Sequence, residues 1–223
     1  MNFRDLFDLF LSIPKTLRFN LHYFPLKTAM RLPVIVSHRT FLRELHGSVS
    51  LPPSPQTAMV KIGFGDVGHY DRQRSRSIWQ VSGTVAFGGK AAIGHGSKLS
   101  VRGLLTLGEG FNMTAESTIV CAKEIAFGND CLLSWGILVM DTDEHPLYGP
   151  DGRRTNPDKA IRVGDHVWVG CKCTLLKGTR LPDNTTVAAG TLLHSAFSGN
   201  DQVIGGNPPT VLRTGIHWEH RIC

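Results

Sequence analysis

Apolar residues recur at every sixth position along the second half of the chain, with polar or small residues between them. Counted from Phe87, the spacing holds in five sets of three. A helix repeats every 3.6 residues and a strand every two, so neither element alone gives a period of six. The fifteen positions are Phe87, Ile93, Leu99, Leu107, Met113, Ile119, Phe127, Leu133, Val139, Val163, Val169, Leu175, Leu181, Val187 and Leu193.

A period of six corresponds to three strand alternations followed by a corner. The residue two places before each apolar position then also points inward, and Ile161, Val167 and Cys173 are apolar or small as a narrow interior requires. Three such units make one triangular coil, and coils stack as parallel strands about 4.8 Å apart. The pattern therefore predicts an all-β fold, a parallel β-helix of about five to six triangular coils, rather than a sandwich built from hairpins.

The pattern is interrupted once by a long polar stretch, "VMDTDEHPLYGPDGRRTNP". The step from Val139 to Val163 is 24 residues instead of six, which leaves eighteen extra residues. Loops of that length in a compact domain are usually functional or disordered. We expect a loop over residues 140–160 that leaves the prism at one corner.

The first part of the chain does not follow the period. We divide the sequence into an N-terminal cap region at 1–80, a β-helix domain at 81–213 and a C-terminal tail at 214–223. "MNFRDLFDLF" has apolar residues at helical spacing, so a short amphipathic helix is predicted, with its apolar face expected to pack on the domain and membrane-surface contact as the alternative. Neither a signal peptide nor a membrane span is evident, and a cytoplasmic location is expected, with the inner membrane face as the alternative.

Charge and cysteine content narrow the chemistry only a little. The net charge of +6 favours anionic partners without choosing among nucleic acid, phospholipid headgroups and phosphorylated small molecules. Much of this charge lies in the N-terminal region, which caps the first coil or binds an anionic or lipid-linked glycan. The five cysteines follow no metal-site spacing, and we interpret them as small wall residues.

Two segments resemble a known family. "IRVGDHVWVGCKCTLLKGTRLPDNTTVAAGTLL" and "IGGNPPTVLR" are similar to the repeats of the hexapeptide-repeat acyltransferases, which are left-handed parallel β-helix enzymes. "DTDEHP" before "IRVGDHVWVG" resembles the O-acetyltransferase branch that includes galactoside and maltose acetyltransferases. Residues 74–101 resemble acyltransferases of capsule and O-antigen gene clusters.

The resemblance implies direct transfer of an acetyl group from coenzyme A to a sugar hydroxyl, with no metal and no covalent enzyme intermediate. It makes His145 the general base, a role that suits an imidazole with an ordinary pKa near 6.5. Asp141, Asp143, Glu144 or a backbone carbonyl would orient the ring, and the sequence does not choose among them. Glu144 is also a candidate for acceptor binding.

The family also implies sites for the acceptor and the donor. Asn112 and Trp168 are expected on the outer surface of one face, two coils apart, where they would bind the acceptor in a homotrimer with active sites between subunits. Lysines that meet coenzyme A in the family are replaced here, and Lys177, Arg180 or Arg213 are the candidate substitutes. The predicted cofactor-binding residues are Gly170, Ala188, Gly205, Gly206, Asn207 and Arg213.

Two other functions fit a β-helix of this kind. A related class hydrates carbon dioxide with zinc held by three histidines, and this chain has ten, including His145, His166 and His194. The paired histidine spacing of that class is missing here. A non-catalytic scaffold is the second alternative, and it leaves His145 without a role.

Overall fold

The protein is described by a computed structural model over residues 3–220. Three sheets wind around one apolar interior. The helices are α1 (Phe3–Tyr23) and α2 (Leu26–Ala29). The strands are β1 (Val34–Val36), β2 (Thr40–Glu44), β3 (Ser48–Ser50), β4 (Val60–Phe64), β5 (Ser77–Val81), β6 (Thr84–Phe87), β7 (Ala91–Gly94), β8 (Lys98–Val101), β9 (Leu104–Leu107), β10 (Phe111–Met113), β11 (Thr118–Cys121), β12 (Glu124–Phe127), β13 (Leu132–Leu133), β14 (Leu138–Met140), β15 (Ile161–Val163), β16 (Trp168–Val169), β17 (Thr174–Leu176), β18 (Arg180–Leu181), β19 (Thr185–Val187), β20 (Leu192–Leu193), β21 (Gln202–Gly205) and β22 (Thr210–Thr214).

Each coil places one strand in each sheet. Sheet A has the order β1-β4-β7-β10-β13-β16-β19-β21-β22, sheet B the order β2-β5-β8-β11-β14-β17-β20, and sheet C the order β3-β6-β9-β12-β15-β18. All pairs are parallel except β21 with β22. The first eighteen strands form six coils, so the three sheets are the sides of a triangular prism.

The predicted inward positions are confirmed. All fifteen apolar residues of the six-residue period, from Phe87 to Leu193, are at most 5% exposed. Ile161, Val167 and Cys173 are at most 1% exposed and share the same interior. Side chains of a strand alternate between its two faces, so a shift of the predicted pattern by one residue would have placed every one of these residues on the outer surface.

The predicted boundary at residue 81 is wrong, because the β-helix begins at Val34. Strands β1 to β5 lie in the same sheets as the later coils, and Val34 is in register with Val60 in a parallel ladder. The spacing is irregular here because loops of unequal length, at 51–59 and 65–76, separate the strands. Only residues 3–33 lie outside the coils as an N-terminal cap.

Helix α1 turns its polar face towards the coils. Ser12, Thr16 and Asn20 are buried. The Asn20 amide donates to the carbonyl of Val34 at 2.6 Å and accepts from its N–H at 3.2 Å. The Thr16 hydroxyl donates to the carbonyl of Val36 at 3.3 Å and accepts from its N–H at 3.0 Å. These side chains satisfy backbone groups of the edge strand β1 that would otherwise lack a partner.

The apolar face of α1 therefore points away from the protein, and the prediction that it packs on the domain is wrong. Phe19 is the exception, since it lies fully buried beside Trp79, 5.1 Å between ring centroids, and closes the end of the interior. Within residues 3–220 no helix is long and apolar enough to cross a membrane. The exposed apolar residues of α1 are Leu6, Phe7, Phe10, Leu11, Ile13, Leu17 and Leu21.

Candidate functional site

The predicted excursion leaves the prism at the corner between sheets B and C, after β14 and before β15. Its first residue, Asp141, is fully buried. The carboxylate accepts hydrogen bonds from the backbone N–H groups of Ala122, Lys123 and Glu124, at 2.7, 2.9 and 2.7 Å. These three donors form the corner of the preceding coil, so Asp141 fixes the root of the loop to that corner.

Asn156 organises the interior of the loop. Its side-chain oxygen accepts from the Leu147 N–H at 2.6 Å, and its nitrogen donates to the His145 carbonyl at 2.9 Å and to Asp143 at 2.8 Å. Asn156 is 9% exposed, so these bonds form away from bulk water. One amide thus holds the His145 carbonyl and connects it to the Leu147 N–H and to the Asp143 carboxylate.

The other acids of the loop are tied to cations. Lys177, from the corner of the next coil, donates to Asp143, and this hydrogen bond together with that from Asn156 holds the pKa of Asp143 below its ordinary value. Glu144 pairs with Arg102 at 2.9 Å. Lys177 is therefore occupied within the loop and is not the free phosphate-binding cation that the sequence suggested.

The predicted orientation of His145 by a neighbouring acid is not seen within the chain. Asp141, Asp143 and Glu144 direct their carboxylates to the backbone corner, to Lys177 and to Arg102, respectively. Within residues 3–220 no hydrogen bond reaches the His145 ring. The imidazole is exposed at the protein surface, on a loop whose backbone is held by Asn156.

Asn112 and Trp168 lie where the spacing predicted, on the outer surface of sheet A and two coils apart. Asn112 is in register with Leu132, and Leu132 with Trp168, so the three side chains form one outward row. Two strand spacings separate the outer members by about 10 Å. The row presents one amide, one aliphatic side chain and one indole to a ligand on this face.

The Trp168 indole is fixed in place by its neighbours. Its N–H donates to the Ser134 hydroxyl at 3.1 Å, and its ring lies 6.0 Å from that of Trp218. Trp218 stacks on His166 at 4.4 Å with an interplanar angle of 10°, and its indole N–H donates to the His166 carbonyl at 2.9 Å. The predicted tail thus packs back against the corner between sheets C and A. Residues 221–223 of that tail lie outside the described residues.

His166 is therefore engaged in packing. Among residues 3–220, no group of three His, Cys, Asp or Glu side chains is placed to hold a metal ion.

A cavity of about 680 Å³ lies beside the outward row. Asn112 lines it together with Lys61 of sheet A, Arg72, and Asp5 and Asp8 of α1. Arg72 bridges both aspartates, whereas Lys61 is exposed and forms no ion pair within residues 3–220. Asp66 also lines the cavity. The cavity therefore offers an amide, the Lys61 ammonium and the Asp66 carboxylate to a polar ligand.

The predicted cofactor residues gather at the corner between sheets A and B. The Gly170 N–H donates to the carbonyl of Val187 at 2.8 Å, and the Ala188 N–H to that of Ile204 at 2.8 Å. Gly170, Ala188 and Gly205 therefore stack over three coils. Gly205 is buried under β22, because a Cβ there would lie 2.7 Å from Leu212 Cδ1.

The remaining cofactor candidates are open to solvent. Gly206, Asn207 and Arg213 are exposed, with Gly206 at φ 97° in the turn between the last two strands. Arg180 is exposed as well, at the corner between sheets B and C. Only Arg213 of these two cations therefore lies on the sheet that carries the stacked Gly170, Ala188 and Gly205.

His145 and the outward row lie on opposite sides of one prism. The loop leaves at the corner between sheets B and C, and Asn112 and Trp168 project from sheet A, the side that faces away from that corner. The interior of the β-helix lies between them. Within one chain, the candidate base cannot reach the candidate acceptor surface.

The sequence did not reveal several residues that build the site. Asn156, Arg102 and Ser134 hold the loop or the indole, but each looks like an ordinary loop or turn residue. The Asn-Pro pair at 156–157 signals only a turn. Their roles depend on contacts between coils that are distant along the chain.

Comparison with known proteins supports the resemblance. No protein-family model matches the chain. It is 38% identical over 81 residues to a polysialic acid O-acetyltransferase of Neisseria meningitidis, a match that covers 36% of this chain and 35% of that protein. It is 26% identical over 112 residues to a galactoside O-acetyltransferase of Lactococcus lactis, covering 49% of this chain and 52% of the relative.

The chain thus spans about a third of the length of the Neisseria relative. A crystal structure of a polysialic acid O-acetyltransferase aligns with a TM-score of 0.51 at 22% identity, over 82% of this chain and 92% of that one. The shared architecture confirms the predicted left-handed parallel β-helix. By its motifs the chain resembles the hexapeptide-repeat acyltransferases, its sequence is similar to proteins named as O-acetyltransferases, and it shares its fold with a polysialic acid O-acetyltransferase.

Proposed function

We propose that the protein transfers an acetyl group from acetyl-coenzyme A to a hydroxyl of a sugar in a surface polysaccharide or its precursor. The observation that carries this proposal is the exposed His145 imidazole on a loop fixed by Asn156 and Asp141. The relatives, named as O-acetyltransferases of polysialic acid and of galactosides, support the reaction class and a carbohydrate acceptor.

His145 acts as the general base in this reaction. The neutral ring accepts the proton of the attacking hydroxyl while the oxygen adds to the thioester carbon. Collapse of the tetrahedral intermediate expels the coenzyme A thiolate, which takes up a proton. The Cys121 and Cys131 thiols take no part, because burial raises the pKa of each to about 12 and keeps them protonated.

The active site is completed by a second subunit. Since His145 faces away from Asn112 and Trp168 in its own chain, only the loop of a neighbouring copy can place an imidazole on this surface. A cyclic trimer gives every subunit one loop to donate and one face to receive it. A carboxylate or carbonyl of the neighbouring chain then orients the His145 ring.

The cavity beside Asn112 receives the acceptor, and the corner of Gly170 and Ala188 guides the donor. Lys61 supplies a positive charge for an acidic sugar, and the Trp168 indole offers an apolar surface to a sugar ring. Gly206, Asn207 and Arg213 lie at the end of the same corner, where a guanidinium suits the phosphates of coenzyme A.

The test exploits the division of the site between subunits. His145→Ala and Trp168→Ala chains, carrying different affinity tags, are co-expressed, and trimers that contain both are purified. In a mixed trimer about one site in three combines an intact His145 with an intact Trp168 from the next chain. We expect the His145→Ala trimer to lose about 10²–10⁴-fold in kcat for acetyl transfer. The Trp168→Ala trimer should lose activity at acceptor concentrations below the KM, because its acceptor surface is removed, and under the same conditions the mixed trimer should regain about a third of wild-type activity.

A mixed trimer as inactive as its parents contradicts a site shared between subunits. Wild-type turnover by His145→Ala alone contradicts the base assignment. His46→Gln is the matched control, because His46 is also strongly exposed and, within residues 3–220, pairs only with Glu44. This variant is expected to keep full activity, and analytical ultracentrifugation reports whether each variant still assembles.

A further inference from the structure

The outward face of α1 is a continuous apolar strip. In a helix with 100° per residue, Leu6, Phe10, Ile13, Leu17 and Leu21 fall within an arc of about 80°, whose centre lies about 120° from that of the buried Ser12 and Thr16. Phe10 is 67% exposed and Leu21 54%. Leu26 and Met30, around α2, are each 67% exposed and extend the apolar residues beyond the end of α1.

This orientation is fixed by hydrogen bonds and cannot be relieved by rotating the helix. Rotation would remove Thr16 and Asn20 from the backbone of β1 and leave four buried polar groups without partners. An unsatisfied buried group is more costly than an exposed apolar side chain. The apolar strip is therefore a lasting feature of the surface, and contiguous exposed apolar residues rimmed by polar ones mark an interaction site.

Cations border the strip. Arg18 on α1, with Lys27 and Arg31 near α2, are exposed, and none forms an ion pair within residues 3–220. The aspartates of the helix do not offset them, because Asp5 and Asp8 pair with Arg72 on the opposite side. The surface thus combines an apolar strip with uncompensated positive charge.

We propose that α1 and α2 form a docking surface for an anionic lipid bilayer. An amphipathic helix with Phe and Leu on one face and basic residues beside them lies in the plane of the lipid interface. The apolar strip enters the boundary of headgroups and acyl chains, while Arg18, Lys27 and Arg31 meet the lipid phosphates. A two-fold pairing of copies through this face would bring six cations together, and the charge therefore favours lipid over such a pair.

The test measures binding of the full-length protein to vesicles by flotation. Two vesicle types are used, one of phosphatidylcholine alone and one with about a third phosphatidylglycerol. We expect binding to the anionic vesicles, weaker binding to the neutral ones, and a decrease as salt is raised. Replacing Phe10 and Leu17 by Glu should lower partitioning by at least about tenfold, since two apolar anchors are lost.

Arg18→Gln with Lys27→Gln and Arg31→Gln tests the charge separately. This triple variant should bind anionic vesicles no better than neutral ones. Leu104→Glu is the matched control, because Leu104 is an exposed leucine on sheet C, away from α1, and its replacement should leave vesicle binding unchanged. All the replaced side chains are exposed, so the melting temperature checks that the fold persists.

Three results overturn the proposal. The first is absence of vesicle binding by the wild-type protein, and the second is unchanged binding after loss of Phe10 and Leu17. The third is concentration-dependent self-association, without lipid, that the same double substitution abolishes, since this would assign the strip to a second copy. None of these measurements depends on acetyl transfer.

Discussion

The buried carboxylate of Asp141 accepts a hydrogen bond from the backbone N–H of Glu124, 2.7 Å away across one coil of the prism. Two further N–H groups of the same corner share this carboxylate. The residue that begins the loop at 141–160 is therefore a structural part of the preceding coil. Asp141 anchors the loop that carries His145.

Asp141→Asn should destabilise the protein by at least about 2 kcal/mol, because an amide presents only one acceptor oxygen to three buried donors. The free energy of unfolding from urea titration measures the loss. Asp151→Asn, at an exposed position of the same loop, is the control and should change stability by less than about 0.5 kcal/mol. Equal stability of the two variants would contradict the structural role.

Asn156→Ala should lower kcat about a hundredfold with little change in the KM for acetyl-coenzyme A, because the His145 backbone loses the amide that holds it. Asn156→Asp keeps the acceptor for the Leu147 N–H but loses both donated bonds, and it should not restore the rate. Steady-state kinetics of both variants measure kcat and the KM for acetyl-coenzyme A separately. A rise in KM at unchanged kcat would instead place Asn156 in donor binding.

The pairing of Asp8 with Arg72 makes stability depend on pH in the acid range. Burial opposes ionisation of Asp8, but the hydrogen bond and charge of Arg72, with Arg39 and His38 nearby, outweigh it and lower the pKa of Asp8. A lowered pKa in the folded state stabilises the protein above the ordinary value near 3.9, and the contribution is lost as the pH falls through the lower pKa.

Arg72→Gln should therefore lower the melting temperature more at pH 7 than at pH 3, because pH 3 lies below the ordinary pKa of the carboxyl, where the contribution of the Asp8 charge is already being lost. Thermal unfolding at the two pH values measures the difference. Arg74→Gln is the matched control, since Arg74 is almost fully exposed and, in the described part of the chain, pairs only with Asp71. An equal loss at both pH values would mean that Arg72 acts through packing alone.

The buried thiols should resist modification while the protein is folded. Cys121 and Cys131 are fully buried, and burial raises the pKa of each to about 12. In a Cys223→Ser background, Ellman's reagent at pH 8 should react with Cys171, which is half-buried, and with the other three only after urea is added. Rapid reaction of Cys131 in the folded protein would contradict the packing of sheet A.

The coils could be predicted from the sequence because each apolar residue of the six-residue period indicates a side chain that points inward. Leu133 and Val169 are buried, as their place in the six-residue period predicted. The direction of α1 could not be read in this way, since the helical period identifies an apolar face but not which face meets the protein. That choice depended on the hydrogen bonds of Thr16 and Asn20 to β1, which join residues far apart in the sequence.

The candidate site was predictable only in part for a similar reason. The long step between Val139 and Val163 located the loop, and the outward phase located Asn112 and Trp168. The sequence gives no sign that Asp141 turns inward to a backbone corner, because its three donors are N–H groups, which every corner possesses. The partners of Asp143 and Glu144 likewise come from other coils.

The side-chain cover over β1 also determines whether molecules can join end to end. An open solenoid end presents a row of unpaired N–H and C=O groups that can template another chain's strand. Here the backbone of Val34 and Val36 is already satisfied by Asn20 and Thr16, so no incoming strand can extend sheet A at that end. A chain that lacked α1 would expose this row of sheet A as a template for the strand of another chain, and in the intact protein α1 covers it.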